Sequence, residues 1–276
     1  MNSPIYIYGN DDIFRNTCEN GHLEVAKWLY DLGFNIYKNE DIFRNTCKNG
    51  HLEVAKWLYD LGFNIFEFKY EAFIYACKNG HLEIAKFLYN LAPINIHANN
   101  EELFKYVCRN GHLEVAKWLY QIGIETNSPI DIHANNVFKL ACSDYSIEVA
   151  KWLYQIAPIN IHANNELLFR NACTNGHLEV AKWLYQIGIE TNSKINIHTN
   201  NEYAFINSCV YGHLKVAKWL YNLGKETNSP IDIHANDDEA FINSCKKRRL
   251  TVAKWLYQLD PDSPFYIHAL TMKHLR

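Results

Sequence analysis

Proline is scarce in this chain, at seven residues in 276, and charged residues make up 21% against 48% hydrophobic, a balance that excludes pervasive disorder. An excess of basic charge is also missing. The formal net charge is −3, which argues against a nucleic-acid binder, since such affinity needs a basic stripe. No apolar run approaches the length of a membrane span, and Met1-Asn2-Ser3-Pro4 does not open a signal peptide. A soluble, intracellular protein is therefore expected. There is no phosphate-cradling glycine loop, and no distinctive set of nucleophile, base and orienter. The expectation is a non-enzyme with no cofactor.

What the chain does have is repetition. Gly-His-Leu-Glu-Val-Ala-Lys-Trp-Leu-Tyr occurs intact at 21–30, 50–59, 111–120 and 176–185. Near-copies begin at Gly80 and Gly212 and degraded ones at Tyr145 and Arg248, which makes eight. A unit too small to bury its own apolar face is stable only when stacked on neighbours. Binding is then expected along an extended surface rather than in one pocket.

The eight cysteines, Cys18, Cys47, Cys77, Cys108, Cys142, Cys173, Cys209 and Cys245, fall at the same place in every repeat. Equivalent positions in stacked repeats lie about one helix-packing distance apart, ~8–10 Å, too far for a disulfide. Reduced thiols serving as small core residues are expected. Each Cys follows a Phe by four residues (Phe14, Phe43, Phe73, Phe104, Phe138, Phe169, Phe205 and Phe241), the spacing of one helix face. Phe and Cys thus mark the buried stripe of a short first helix, with the Asn and acidic residues before it as caps. Asn-Gly then breaks the helix.

The second helix carries Leu23, Ala26, Trp28 and Leu29 on a broad apolar face, with Glu24 and Lys27 outside as an i, i+3 pair. Seven repeats have Trp at the same place and one has Phe87. The step from Phe to the final Tyr is 16 in every copy, whereas the step from that Tyr to the next Phe runs 13, 14, 15, 18, 15, 20 and 20. This predicts a helix pair of fixed length, with every insertion in a solvated connector. The connectors alternate Ile and polar residues, as in Pro93-Ile-Asn-Ile-His-Ala-Asn-Asn100, which predicts a short extended segment and a turn. Domain boundaries follow: a connector-like segment at 1–10, repeats at 11–39, 40–69, 70–100, 101–135, 136–165, 166–201, 202–237 and 238–259, and a tail at 260–276.

Helix, Gly-His turn, helix and finger at a period near 33 resemble the ankyrin repeat. The Trp-Leu-Tyr endings and Ile-His-Ala-Asn-Asn connectors look like the ankyrin proteins of giant DNA viruses of the mimivirus kind. The resemblance implies an all-α ankyrin-repeat solenoid of eight helix pairs with short extended fingers. The ankyrin Thr-Pro-Leu-His segment is absent, its place holding Asp12-Ile-Phe-Arg15 or Glu71-Ala-Phe-Ile74. The hydrogen bonds that segment makes between repeats are then expected to be missing, leaving cohesion to aromatic burial.

The resemblance also implies a protein–protein scaffold that binds a host or viral protein on its concave side. Mapped here, the finger-side residues are Tyr70, Glu101, Asn135, Glu166, Glu202 and Asp238. The helix-end residues are Lys78, Arg109, Ser143, Thr174, Val210, Tyr211 and Lys246. Val210-Tyr211 stands out as apolar where other repeats carry Lys-Asn or Thr-Asn, and an exposed aromatic makes a binding anchor.

Thirteen histidines raise a metal hypothesis, but zinc ligands must converge within about 2.0–2.3 Å of one ion, whereas these recur one or two per repeat as ladders. No metal site is expected. Lys246-Lys-Arg-Arg249 is the only basic run, read as a solvated end turn or a nuclear-localisation patch. Tyr145 and Arg248 stand at the turn-glycine position, which predicts a remodelled turn at both. Repeat one carries the interior apolar pattern, so either Ser3–Tyr8 covers it or it pairs with another chain in an otherwise monomeric protein.

Overall fold

The computed structural model describes residues 11–34, 41–63, 68–91, 94–133, 136–143 and 146–260. Among them are sixteen α-helices and no strand. The first helices of the repeats are α1 (Asp11–Glu19), α3 (Asp41–Lys48), α5 (Lys69–Lys78), α7 (Ala98–Arg109), α9 (Val137–Ser143), α11 (Ala163–Thr174), α13 (Thr199–Val210) and α15 (Ala235–Lys246). The second helices are α2 (Leu23–Asp31), α4 (Leu52–Asp60), α6 (Leu82–Leu91), α8 (Leu113–Glu125), α10 (Ile147–Ile156), α12 (Leu178–Glu190), α14 (Leu214–Glu226) and α16 (Leu250–Leu259). The chain divides into two compact units, Met1–Val137 and Phe138–Arg276. Within the first, α1, α3, α5 and α7 pack successively; within the second, α11, α13 and α15 do.

The expected Phe/Cys stripe is the core of every first helix but the last. Phe14, Phe43, Phe73, Phe104, Phe169 and Phe205 and their cysteines are buried, whereas Phe241 and Cys245 are half-buried. The second-helix face differs from the expected one. Its buried residues are Val, Ala and Leu, as in Val54, Ala55 and Leu58 or Val180, Ala181 and Leu184, while the first Leu and the Trp are only half-buried. The Val position is buried at Val54, Val115, Val180, Val216 and Val252, each with a repeat before it in the same unit, and open at Val25.

The tryptophans bridge successive repeats. Trp118 lies 6.2 Å from Phe73 and 5.7 Å, edge-on, from Tyr89 of the preceding pair. Trp219 does the same with Phe169 and Tyr185, and Trp255 with Phe205 and Tyr221. Tilted and edge-on pairs of this kind contribute about 0.5–1.5 kcal/mol beyond their area burial. The exposed Glu–Lys pairs on the second helices, such as Glu53–Lys56 at 3.1 Å, add only about 0.2–0.5 kcal/mol each.

Three sequence expectations need correction. The helix pair does not have a fixed length: α8, α12 and α14 run 13 residues against nine in α2 and α4. Part of each long insertion is therefore a further helical turn. Asn127, Asn192 and Asn228, at positive φ, end these helices where Gly33 and Gly62 end the short ones. The displaced Gly123, Gly188 and Gly224 sit inside the helix with the returning chain against them.

In α11, α13 and α15 the Asn and acidic residues expected as caps do not cap. Asn164, Asn165 and Glu166 are left-handed (φ 54, 57 and 60°), as are Asn200–Glu202 and Asn236–Asp238. They form one tight left-handed turn, for which asparagine is the best non-glycine residue. The connector's Ile residues, such as Ile195, Ile197, Ile231 and Ile233, are buried, but no strand ladder forms.

The last turn is not remodelled. Arg248 takes φ 59° and donates to the Cys245 carbonyl at 3.0 Å, just as Gly111 (φ 80°) donates to Cys108 at 3.2 Å. Tyr145, the Ser3–Tyr8 segment and the tail beyond 260 lie outside the described residues.

Candidate protein-interaction face

Hydrogen bonds do tie the repeats together, contrary to the expectation drawn from the missing Thr-Pro-Leu-His segment. The bonding residues have moved to the Asn-Gly-His turn. Asn79 Nδ2 donates to the Lys48 carbonyl at 2.8 Å and His81 Nε2 to the same oxygen at 2.9 Å. Asn110 and His112 repeat this on Lys78, both at 2.9 Å, and Asn49 reaches the Glu19 carbonyl at 2.8 Å. A carbonyl only accepts, so Nε2 carries the proton in these rings. The turn glycine has two reasons to be glycine. Its φ is positive, and the next repeat's histidine packs where a Cβ would be: 2.2 Å away at Gly21, 2.5 Å at Gly80 and 2.4 Å at Gly176.

A second set of ties lies at the base of the fingers. His97, His162, His198 and His234 direct Nδ1 at the acid four residues on: Glu101 (2.8 Å), Glu166 (2.9 Å), Glu202 (2.7 Å) and Asp238 (2.6 Å). Glu202 also accepts the Asp232 backbone N–H of the next connector at 3.3 Å. Ser229 Oγ lies 2.8 Å from His198 Nε2, which accepts when Nδ1–H donates to Glu202. Arg170 holds the neighbouring left-handed turn, donating to the carbonyls of Asn165 (2.7 Å) and Asn164 (2.9 Å).

These contacts sort the expected binding residues. Glu101, Glu166, Glu202 and Asp238 are buried and engaged by histidine, so they lie beneath the finger surface rather than on it. A buried carboxylate needs such a partner, and this is why the acid recurs. Val210, the last residue of α13, is buried as well. Tyr70, Arg109, Tyr211 and Lys246 are exposed, and Lys78 and Thr174 are half-exposed. Asn135 and the Ser143 side chain lie outside the described residues. Lys48, Tyr75 and Tyr106, on the same helix ends, are additions that spacing alone did not single out. Lys48 Nζ stands 5.6 Å from the Tyr75 ring centre and Lys78 Nζ 4.0 Å from that of Tyr106.

Burial pushes the thiols up, to about 12 at Cys18 and Cys142, away from nucleophilic reactivity. Burial holds His213 down; at His234 burial also lowers, but is outweighed by Asp238 and Asp260. Among the described residues no group of three or more His, Cys, Asp or Glu side chains is placed to hold a metal, and no helix is long and apolar enough to cross a membrane.

Stacked helix pairs, Gly-His turns and fingers place the fold, and a family model described as ankyrin repeats (three copies) matches residues 14–102, 43–130, 104–195 and 169–264. The chain is an ankyrin-repeat protein. Its fold is the all-α ankyrin solenoid, a family that generally mediates protein–protein interaction. Among solved structures it is similar to the human ASB11 ankyrin repeat domain, at 18% identity over 69% of this chain and 95% of that one, with a TM-score of 0.46. No curated protein matches the chain. The ankyrin repeats here retain the Gly-His turn and carry their inter-repeat hydrogen bonds on it and on the His–acid pairs.

Proposed function

We propose that the protein is a non-enzymatic scaffold that binds a protein partner on the finger and first-helix side of its repeats. One observation carries this reading. The helix ends after the Cys at Glu19, Lys48 and Lys78 are fixed in backbone by inter-repeat bonds, yet the side chain after the Cys changes along the array, from Glu19 and Lys78 to Thr174 and Val210. A rigid frame that presents variable side chains is preorganised for recognition, because little entropy is lost on binding. In the second unit Tyr211, 44% exposed at the end of α13 with Lys247 Nζ 5.5 Å from its ring, is the aromatic anchor. The likeness of the connectors to those of giant-virus proteins supports a partner in an infected host cell.

The experiment is site-specific photo-crosslinking from the helix ends (positions 78, 109 and 211) and, as contrast, from the exposed second-helix residues Lys117 and Glu179. Partner adducts from the first set alone support the reading. Adducts from the second set alone, or full capture by Tyr211→Ala, would remove the assignment. A second reading, self-association through repeat one, draws on Val25, Trp28 and Leu32, which are 48%, 60% and 51% exposed. Light scattering across a wide concentration range tests it, since a constant monomer mass excludes it.

A further inference from the structure

Charge is sorted by end in the last two repeats. Lys246 closes α15, Lys247, Arg248 and Arg249 form the turn to α16, and Lys215, Lys218 and Lys254 lie early in α14 and α16. All seven are exposed, and among the described residues none of them is in an ion pair. In the second unit's earlier repeats the second-helix Lys has a Glu three residues before it, as in Glu148–Lys151 at 3.1 Å and Glu179–Lys182 at 3.5 Å. Lys215 and Thr251 stand in the place of that Glu. The acids of these repeats lie toward the other helix ends. At 1.5 Å of rise per residue, Glu239 is about 10 Å along α15 from Lys246, and Glu226 about 16 Å along α14 from Lys215. Both distances exceed the ~8 Å Debye length at physiological salt.

The last turn keeps its backbone and changes its side chains. The Arg248 and Arg249 N–H groups donate to the Cys245 and Ser244 carbonyls at 3.0 and 2.8 Å, as those of Gly212 and His213 do to Cys209 and Ser208. The Asn-Gly-His found, for example, at 79–81 and 175–177 has become Lys-Arg-Arg. Arg248 takes a left-handed φ of 59°, which glycine adopts without strain. The stem of Arg249 fills the place that histidine takes at the other turns, with Cδ 2.8 Å from where a Gly212 Cβ would be. Burial holds His213 below the ordinary histidine range, and the charge of Arg249 adds to that. Lys247 Nζ stands 5.5 Å from the ring centre of the exposed Tyr211. A relaxed turn has thus been exchanged for four adjacent like charges. Breaking a local rule without a gain to the fold points to function.

We infer that this edge docks an acidic segment of the protein partner, a run of about six residues rich in Asp and Glu, with Tyr211 packing against an apolar residue beside the run. The patch sets the length. Its cations span two repeats, about 20 Å of stack at 8–10 Å per helix, and six residues of extended chain cover that distance. A polynucleotide needs a basic stripe that continues. This one stops at the preceding repeat, where Thr174 closes α11 and Glu179 balances Lys182.

The inference rests on the scaffold reading and names the chemistry of its partner. The test is fluorescence anisotropy of the full chain with a labelled peptide of about a dozen residues that holds successive glutamates and one Phe. The control peptide has Gln for every Glu. Expected is binding that favours the Glu peptide at least about tenfold and weakens between about 50 and 300 mM salt. Lys247→Asn, Arg248→Gly, Arg249→His together rebuild the turn of the other repeats, so this variant should melt no lower than the parent and yet bind about tenfold more weakly. Adding Lys215→Glu, which rebuilds the pair with Lys218, should take binding below detection. Lys117→Glu, Lys182→Glu, a comparable change of net charge at exposed sites elsewhere, should bind normally.

Equal binding of both peptides, or unchanged binding by the rebuilt-turn variant, would overturn the inference. So would equal affinity for a single-stranded oligonucleotide or for phosphatidylserine vesicles. Crosslinks to a protein partner from positions 78 and 109, with no binding of the Glu peptide, would overturn it while leaving the scaffold reading standing.

Discussion

Replacing Gly80 by alanine separates the two demands placed on the turn glycine. Gly80 has φ +81°, and a Cβ there would lie 2.5 Å from His112 Nδ1. The left-handed backbone alone costs a side chain about 1–2 kcal/mol. The contact forces the imidazole to rotate, and His112 then loses its 2.9 Å bond to the Lys78 carbonyl, about 0.5–1.5 kcal/mol more. Reduced freedom of the unfolded chain returns about 0.4–1 kcal/mol, for a net loss of about 1–3 kcal/mol. Gly62 supplies the control, because its φ is +78° and no described residue lies within 4 Å of its Cβ. Gly62→Ala should therefore lose only the backbone part, leaving Gly80→Ala about 1 kcal/mol the less stable. Urea unfolding followed by tryptophan fluorescence measures both, and amide exchange locates the loss, since a linear array need not unfold in one step. If Gly80→Ala matched Gly62→Ala, the histidine contact would carry no weight and the inter-repeat role of the Gly-His turn would be refuted.

Arg248→Gly should stabilise by about 1 kcal/mol, because φ 59° is strained for Arg and no following repeat is described to pack against it; an unchanged or lower urea midpoint would contradict this. Gly188→Ala should destabilise although alanine is the better helix former by about 1 kcal/mol, since its Cβ would lie 2.8 Å from the Ser193 carbonyl oxygen and 3.0 Å from the Ile195 nitrogen. A raised melting temperature would show that the returning segment yields. In the native protein Cys245, the half-buried thiol, should alkylate before the buried Cys142 or Cys173, as mass spectrometry of a labelling time course would show; simultaneous labelling would mean that the core opens as readily as the end.

The array, the helix pairs and the Phe/Cys stripe were legible because i, i+4 spacing reports which face of a helix is buried. Which face meets the next repeat is not in that spacing. Val54 and Val180 are as buried as Ala55 and Ala181 only because another pair stacks on them, and Val25 shows the same residue left open. The left-handed Asn-Asn-Glu turn had a signal in its asparagine pair. Its meaning depended on His162 and His198 reaching back to Glu166 and Glu202, an i, i+4 pair that reads as helical surface charge until the turn is seen to reverse hand. The same pairing took the acids out of the binding set. Lys48, Tyr75 and Tyr106 were missed for the opposite reason: each is ordinary in its own repeat, and the Lys48–Tyr75 and Lys78–Tyr106 contacts form only between repeats.

The central claim is that partner choice resides on the first-helix ends, where the repeats differ, and not on the second helices, where they agree. Amide hydrogen exchange of the full chain with and without a captured partner tests this most directly. The account predicts new protection at the ends of α3, α5 and α7 and around Tyr211, with α4, α6 and α12 unchanged. Protection confined to the second helices would contradict it.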